Sequence, residues 1–447
     1  MNKIFNKKNA IFSLLKSILL IIAYLIFLYS PLKDTEFVRG FCEDFAFDIL
    51  NILFLSTREV NVKNAPHLII FKVDKEYEKY KKEENSSYSV GYMFPRSNIA
   101  ELITSIDNLP KDKQPKALFI DYNFDYTSKP DGKSMDKSDK KLLEVLKKRR
   151  KYTIYLPLSP LSNEKDKPIC KDGFLSKNGH FKYETNSSNS VKFVSVGELV
   201  SSDDIVRRYI SCCEINNTKI PHIALKLSGI KPPKNCLVKN RVVNTRIIFK
   251  DKKTNNVIKS DYRESYWKNV EFYSAKRLID KDKIDLNLII NDKNYNPNNS
   301  IFIIGSFSPQ SKDKFQVAKL FNSTNVYGTE VLANTIMTTA YLQNFLKVIP
   351  WYYILPIIFI IFFIFDYIVS LIFDMFNIYS FVIESFISFA IISIIFLFLS
   401  YLIFINFHLW FNWFLPSLMT EIVETIVEAI DFLGLVSKKI RRRKSHV

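Results

Sequence analysis

One stretch, Trp351 to Phe407, constrains everything else in the chain. It reads WYYILPIIFIIFFIFDYIVSLIFDMFNIYSFVIESFISFAIISIIFLFLSYLIFINF. A helix crosses the hydrocarbon of a bilayer with about 20 apolar residues, so this stretch holds two crossings. Asp374 to Tyr379 is its least apolar break and marks the turn. Trp351, Tyr352 and Tyr353 stand where an interfacial aromatic belt belongs. A third run, Ala10 to Ser30, has Lys16 as its only charge, and Lys3, Lys7 and Lys8 precede it. The positive-inside rule places that N-terminus in the cytoplasm. The run is too long for a signal peptide and ends in Leu28-Tyr29-Ser30-Pro31, a poor cleavage site, so it reads as an uncleaved anchor.

The topology that follows has five parts. Residues 1–9 are cytoplasmic, 10–30 form the anchor, 31–349 lie outside, 350–436 form a membrane bundle, and 437–447 are a basic cytoplasmic tail. That tail carries Lys438, Lys439, Arg441, Arg442, Arg443 and Lys444, which requires a fourth crossing. The only segment left for it, Trp410 to Val436, is marked by Glu421, Glu424, Glu428 and Asp431 at spacings of three, four and three, on one helical face. A carboxylate at mid-bilayer on a lone helix costs about 3 kcal/mol, so the face must meet a bundle, a pore or water. Met419, Ile422, Ile426, Ala429, Leu433 and Val436 form a stripe at heptad spacing, compatible with a homo-oligomer. One account ends the span near Leu418 or Thr420, puts the preceding turn near Ser400 and continues as a cytoplasmic dimerising helix; it is the favoured one. A second is a full span from Trp410 with the acidic face packed inside an oligomer. A third is an interfacial helix with the tail outside.

The mean hydropathy is close to zero, an average over two unlike parts. Residues 31–349 are rich in Lys, Asn, Asp and Ser, and the spans are rich in Ile, Phe and Leu. The net charge of +18 comes from dispersed lysines with no nucleic-acid-reading motif, which excludes nucleic acid as a partner.

The outer region alternates short apolar runs with helical patterns. Glu36 to Leu55 is a helix leading out of the first span. His67–Val73, Lys116–Asp121, Tyr152–Leu156, Val191–Val196, Arg241–Phe249, Val270–Tyr273 and Ile301–Gly305 read as strands. Ser97 or Asn98 caps a helix to Leu109, Asp136–Lys151 is a charged helix, Ile220–Ser228 a short one, and Val326–Leu342 the last. Ser162–Ser190 reads as a polar surface excursion and Lys312–Asn325 as a long loop. Strand and helix in alternation predict an α/β extracytoplasmic domain, a mixed but mainly parallel sheet with flanking helices. It is inserted between the N-terminal transmembrane helix and a bundle of about three more.

Asp74, Asp121 and Asp125 follow the carboxyl ends of strands, the edge where open α/β sheets bind ligands. With Asp313 and Glu330 they are candidates to hold a cation or an amine. Arg96 would be their counter-charge or an anion contact, and Asn334 would share a face with Glu330. The structural alternative is that these aspartates close turns and cap helices. Of five cysteines, Cys170, Cys212, Cys213 and Cys236 are disulfide candidates, with the pairing open among them. No metal-ligand spacing, cofactor loop, Ser/His/Asp set or kinase motif appears, so no cofactor is implied and the chain does not read as an enzyme.

A series of short motifs runs in order through the outer region: HLIIFKVD, FPRSNIAELI, KALFIDYNFD, DDIVRRYI, IPHIALKLSG, NVEFYSAKRLI, IFIIGSFS and VYGTEVLANTI. In order and spacing this resembles the second type of CHASE domain, a bacterial sensory extracellular domain associated with cyclases and histidine kinases, over roughly residues 35–345. The resemblance implies an extracytoplasmic sensory domain after one span and before three. It departs at Leu332, where the family often carries a histidine, and no effector domain follows in this chain. The implied reading is a multi-pass receptor in the plasma membrane. It would sense a small ligand or envelope component and signal to a separate cytoplasmic effector, with membrane lipid as its other partner. The rivals are a channel or transport accessory built on the acidic helix face, and a non-signalling envelope scaffold.

Overall fold

The computed structural model describes residues 7–30, 42–57, 65–73, 96–122, 135–158, 190–200, 206–233, 269–274, 286–307, 314–319, 322–342, 347–349, 351–376 and 381–444, with short pieces between them. The chain divides into two compact units, Thr57–Phe345 and Met1–Ser56 with Leu346–Val447.

The first unit is built on a six-stranded parallel sheet. Its strands are β1 (His67–Val73), β2 (Ala117–Asp121), β3 (Thr153–Leu158), β4 (Val191–Ser195), β5 (Val270–Ser274) and β6 (Ser300–Ser306), in the order β5-β1-β6-β2-β3-β4. Both faces of the central strands are covered, which explains why β1 and β6 are continuous apolar runs rather than alternating ones. On one face Ile69, Phe71, Leu118, Ile120, Phe302 and Ile304 join a single core with two helices, α3 (Arg96–Asp107) and α4 (Lys137–Leu146); α1 (Lys7–Tyr29) and α2 (Phe45–Thr57) belong to the other unit. The α3 contribution, Ile99, Leu102, Ile103 and Ile106, follows the one-face spacing of an amphipathic helix. Asp136 caps α4 and accepts from the Asp139 amide at 2.8 Å, while Asp139 Oδ2 accepts back from the Asp136 amide at 3.2 Å. At the far end of α3, Arg150 grips Asp107 with two bonds of 2.8 Å, and Tyr152 Oη donates to the same carboxylate.

Two features differ from the sequence reading. The expected long loop after β6 is an antiparallel hairpin, Lys314–Lys319 paired with Asn322–Tyr327. Its strands, KFQVAK and NSTNVY, mix Lys, Gln, Asn, Ser and Thr among their apolar residues, so the apolar signal is weak, and Phe315 and Val326 supply its packing against Val206 and Val331. The polar excursion between β3 and β4 contains the strand Ile169–Cys170 and buried Leu175 and Phe181. Cys170 is bonded to Cys213, and Cys212 to Cys236. Neighbours on a strand point to opposite sides, so Cys212 and Cys213 in the strand Cys212–Ile215 reach different partners. Each bridge stabilises by about 3–4 kcal/mol on the chain-entropy account, for sequence separations of 43 and 24. Free Cys42 is buried in the other unit.

After the short helix α5 (Ile223–Leu227), α6 (Gly328–Leu342) closes the α/β unit; it begins at the sheet edge and is buried along nearly all its length.

The second unit holds α1, α2, α7 (Trp351–Phe376), α8 (Phe381–Phe407) and α9 (Phe414–Lys444). Among the described residues three segments, Ala10–Phe27, Tyr353–Ile372 and Phe389–Phe407, are long and apolar enough to cross a membrane. The chain is therefore a multi-pass membrane protein with a large non-membrane α/β domain between its spans. The regular part of α2 starts at Phe45, after a wider turn at Cys42–Asp44, and α2 packs within this unit rather than in the α/β unit. Phe47 meets Trp410 edge-on at 5.9 Å, Phe54 meets Phe404 at 4.9 Å, and Trp413 Nε1 donates to the Ala46 carbonyl at 2.9 Å. The turn expected near Ser400 lies instead after Phe407. His408 takes a positive φ of 54°, and the Asn412 side chain accepts from the Phe414 and Leu415 amides to start α9. Ser400 stays helical and donates to the Phe411 carbonyl at 3.1 Å. The unbroken apolar run keeps α8 helical past that serine.

Candidate functional site

The carboxyl edge of the parallel sheet meets the first turn of α6. Asp121 ends β2, beside Gly305 of β6. Thr329 Oγ1, in the first turn of α6, donates to Asp121 Oδ2 at 2.6 Å. Gly305 permits this approach, because a Cβ there would stand 2.0 Å from Thr329 Oγ1. Glu330 folds back so that its Oε2 accepts from the Tyr327 amide at 2.8 Å, closing the helix start. The Tyr327 ring packs on Phe307 at 5.1 Å, and Lys314 Nζ lies 5.6 Å from its centroid.

Of the sequence candidates, this edge brings together Asp121 and Glu330. Asp121 is half-buried and at the rim; Glu330 is fully buried and used as a cap. Asn334 follows one turn on, but it is buried and accepts from Trp267 Nε1 at 2.9 Å. Asp74, Asp125 and Asp313 lie outside the described residues. Arg96, expected near these carboxylates, points into the α3–α4 contact. There it donates to Asp139, and its guanidinium lies 5.5 Å from the Phe124 ring centroid. Burial pushes that guanidinium below its ordinary pKa, and Asp139 pulls it back up. Asp139 wins the arginine because it is fully buried, where an unpaired charge is costly.

A second polar cluster lies along α6 and was not legible in the sequence. His222 caps α5, its Nδ1 accepting from the Ala224 amide at 3.2 Å. That bond assigns the proton to Nε2, which lies 3.7 Å from Glu198 Oε1. The Tyr209 ring covers the imidazole at 4.5 Å. Complete burial pushes the His222 pKa down to about 3. Thr335 Oγ1 lies 3.1 Å from Glu198 Oε1, and Tyr209 Oη lies 3.0 Å from Thr339 Oγ1. Thr335 and Thr339 are one turn apart, so one face of α6 is joined to the strands Glu198–Val200 and Val206–Ile210. Helical spacing of the two threonines is the signal that could have found this face.

In the membrane unit, Lys16 Nζ lies 3.0 Å from Asp366 Oδ1, with both side chains buried, and Ser13 donates to the other carboxylate oxygen. Asp366 sits inside the most apolar stretch of the sequence, where a single charge is easily passed over. On α9, Glu424 is buried and Glu421 half-buried; Glu428 and Asp431 lie on the same helix, with side chains outside the described set. Among the described residues no group of three or more His, Cys, Asp or Glu side chains is arranged to hold a metal ion.

No protein-family model, curated protein or solved structure matches the chain.

Proposed function

We propose that the chain is a membrane sensor whose α/β domain binds a small cationic or hydrogen-bonding ligand at the Asp121–Thr329 edge. The observation that carries this is the direct hydrogen bond between a rim carboxylate and the first turn of α6. A ligand amine that takes Asp121 would compete with Thr329 for the carboxylate and release the helix start. An anion is disfavoured, because the Glu330 carboxylate already takes the Tyr327 amide at the helix start and Asp121 is a second carboxylate at this edge. The helix is tied along its length by Asn334, Thr335 and Thr339, so a shift at one end is carried to the other. In sequence α6 is the last helix before the α7 span. The order of motifs resembling the second type of CHASE domain supports an extracytoplasmic sensory role, with a separate cytoplasmic effector reading the basic tail at a plasma membrane.

The buried Glu424 speaks against the transport reading. A cation path along an oligomer axis needs carboxylates on the outside of the protomer, and Glu424 is 3% exposed within it.

The test is hydrogen exchange on the full chain in lipid nanodiscs, with and without a panel of amino acids and polyamines. A compound that changes exchange over residues 328–342, and that loses this effect in Asp121→Asn, supports the sensor. No response in α6 to any of them sinks ligand sensing at this edge and leaves the envelope scaffold.

A further inference from the structure

α9 is turned inside out relative to a helix at a water surface. The side chains it exposes between Glu421 and Ile430 are Ile422, Thr425, Ile426, Ala429 and Ile430. The ones it buries are Val423, Glu424 and Val427. A surface helix in water does the reverse, placing charge outward and the apolar stripe inward. Its hydroxyls are satisfied without water. Ser417, Thr420 and Thr425 donate to the carbonyls of Trp413, Pro416 and Glu421, each four residues back, at 2.8–3.0 Å. That is the requirement hydrocarbon imposes on a polar group in a spanning helix.

The exposed arc also continues a surface already present. α1 exposes Ile18, Ile22 and Ile26, α7 exposes Ile360, Ile364 and Ile368, and α8 exposes Ile391, Ile394 and Phe398. These belong to the three segments apolar enough to cross a membrane. α9 packs against both α1 and α8, so its isoleucine arc belongs to the same bundle.

We infer that α9 is the fourth membrane crossing over Phe414–Ile430, with Ile422, Ile426 and Ile430 in contact with lipid acyl chains. Composition alone hides this span, because its carboxylates lower the mean while Glu424 is sheltered inside the bundle. From Phe414 to Ile430 the helix rises about 25 Å, the short end of the range that crosses a hydrocarbon core of about 30 Å. Four crossings return the chain to its starting side. Lys438, Lys439 and Arg441 to Arg443 then lie on the same membrane face as Lys3, Lys7 and Lys8, as the positive-inside rule requires. The inference rests on the membrane character of the chain and not on ligand recognition. A second copy of the chain is the rival occupant, since Thr425 and Ala429 are small and lie on the same arc.

The experiment uses spin labels on single cysteines at 422, 426 and 430 in a Cys42→Ala background; the other four cysteines are bonded to one another. The full chain is reconstituted in phosphatidylcholine–phosphatidylglycerol vesicles, and collision rates with oxygen and with a water-soluble nickel chelate are compared. Oxygen accessibility above nickel accessibility at all three sites is the expected result. Nickel above oxygen would mean an aqueous or interfacial helix, and both low would mean a contact with a second copy; either overturns the inference. A label at Val423 gives the fold control: it stays immobile where the bundle is intact, and an unfolded preparation shows it mobile.

Discussion

Both halves of the molecule bury a cation–carboxylate pair, and the two pairs face different surroundings. In the α/β unit Arg96 meets Asp139, which also belongs to the cap of α4, and the flank of these helices carries an exposed Lys141–Glu101 pair. In the membrane unit Lys16 meets Asp366, and the neighbouring exposed side chains are isoleucine, leucine and phenylalanine. A charge released in the first case has a helix N-terminus beside it and water nearby. A charge released in the second has neither. Burial therefore means different things in the two units: an organised interior below a wet surface, and a polar interior below an apolar one.

The comparison breaks most directly at Asp366. Asp366→Leu alone strands Lys16 and is expected to cost about 3–5 kcal/mol, while Lys16→Leu with Asp366→Leu recovers most of that. Thermal unfolding in nanodiscs measures both alongside Lys16→Leu alone; a double-variant loss equal to the sum of the two single losses would mean that the pair is not coupled. Next in size, Cys212→Ala with Cys236→Ala should destabilise the α/β unit by about 3 kcal/mol and leave the membrane helices untouched, read by segment-resolved hydrogen exchange. Arg96→Met should cost about 2–3 kcal/mol, less than the membrane pair, because Asp139 keeps the Asp136 amide and the α4 N-terminus. A cost matching that of Asp366→Leu would remove the contrast between the units.

Acid acts on the α/β unit through His222. Its folded pKa of about 3 lies below the unfolded value near 6.5, so the unfolded chain binds the extra proton. Stability is complete above about pH 6.5 and falls by about 1.4 kcal/mol per pH unit down to the folded value, or roughly 2 kcal/mol lost at pH 5. His222→Asn keeps an acceptor for the Ala224 amide and should flatten this dependence in denaturant titrations at pH 5 and 7.5. The smallest effect is at the sheet edge. Thr329→Val removes the bond to Asp121 and should cost about 1 kcal/mol, with exchange rising at the start of α6 ahead of the rest of the helix.

The parts of this fold that were legible in sequence are those whose neighbours are the same everywhere. Parallel strands buried on both faces must be apolar throughout, and so β1, β2 and β6 stand out as HLIIFKV, ALFID and IFIIG. The spans stand out for the same reason. What stayed hidden depends on one particular partner far away in the chain. Lys16 and Asp366 are 350 residues apart, and Tyr209 and Thr339 are 130 apart. In sequence Arg96 pairs most readily with the strand-end carboxylates because those stand out, while Asp139 is one more charge on a charged helix. The hairpin Lys314–Tyr327 is not legible because it is held by backbone pairing, to which side-chain composition contributes little. At the site itself, Asp121 and Glu330 could be read from their positions at a strand end and a helix start. Thr329 could not, since only the close approach at Gly305 gives it a role.

The neighbouring cysteines have a mechanical consequence. Cys213 is tied back to Cys170 and Cys212 forward to Cys236, so a covalent path runs from residue 170 to residue 236 through a single peptide bond. Tension applied to the chain ends takes that path and bypasses both enclosed loops. On the order of 200 Å of extended chain is thereby withheld from stretching. A pull transmitted through the domain loads α6 and the parallel strands outside the bridges, while β4 and the small strands around His222, enclosed by the bridges, stay slack until a disulfide is reduced.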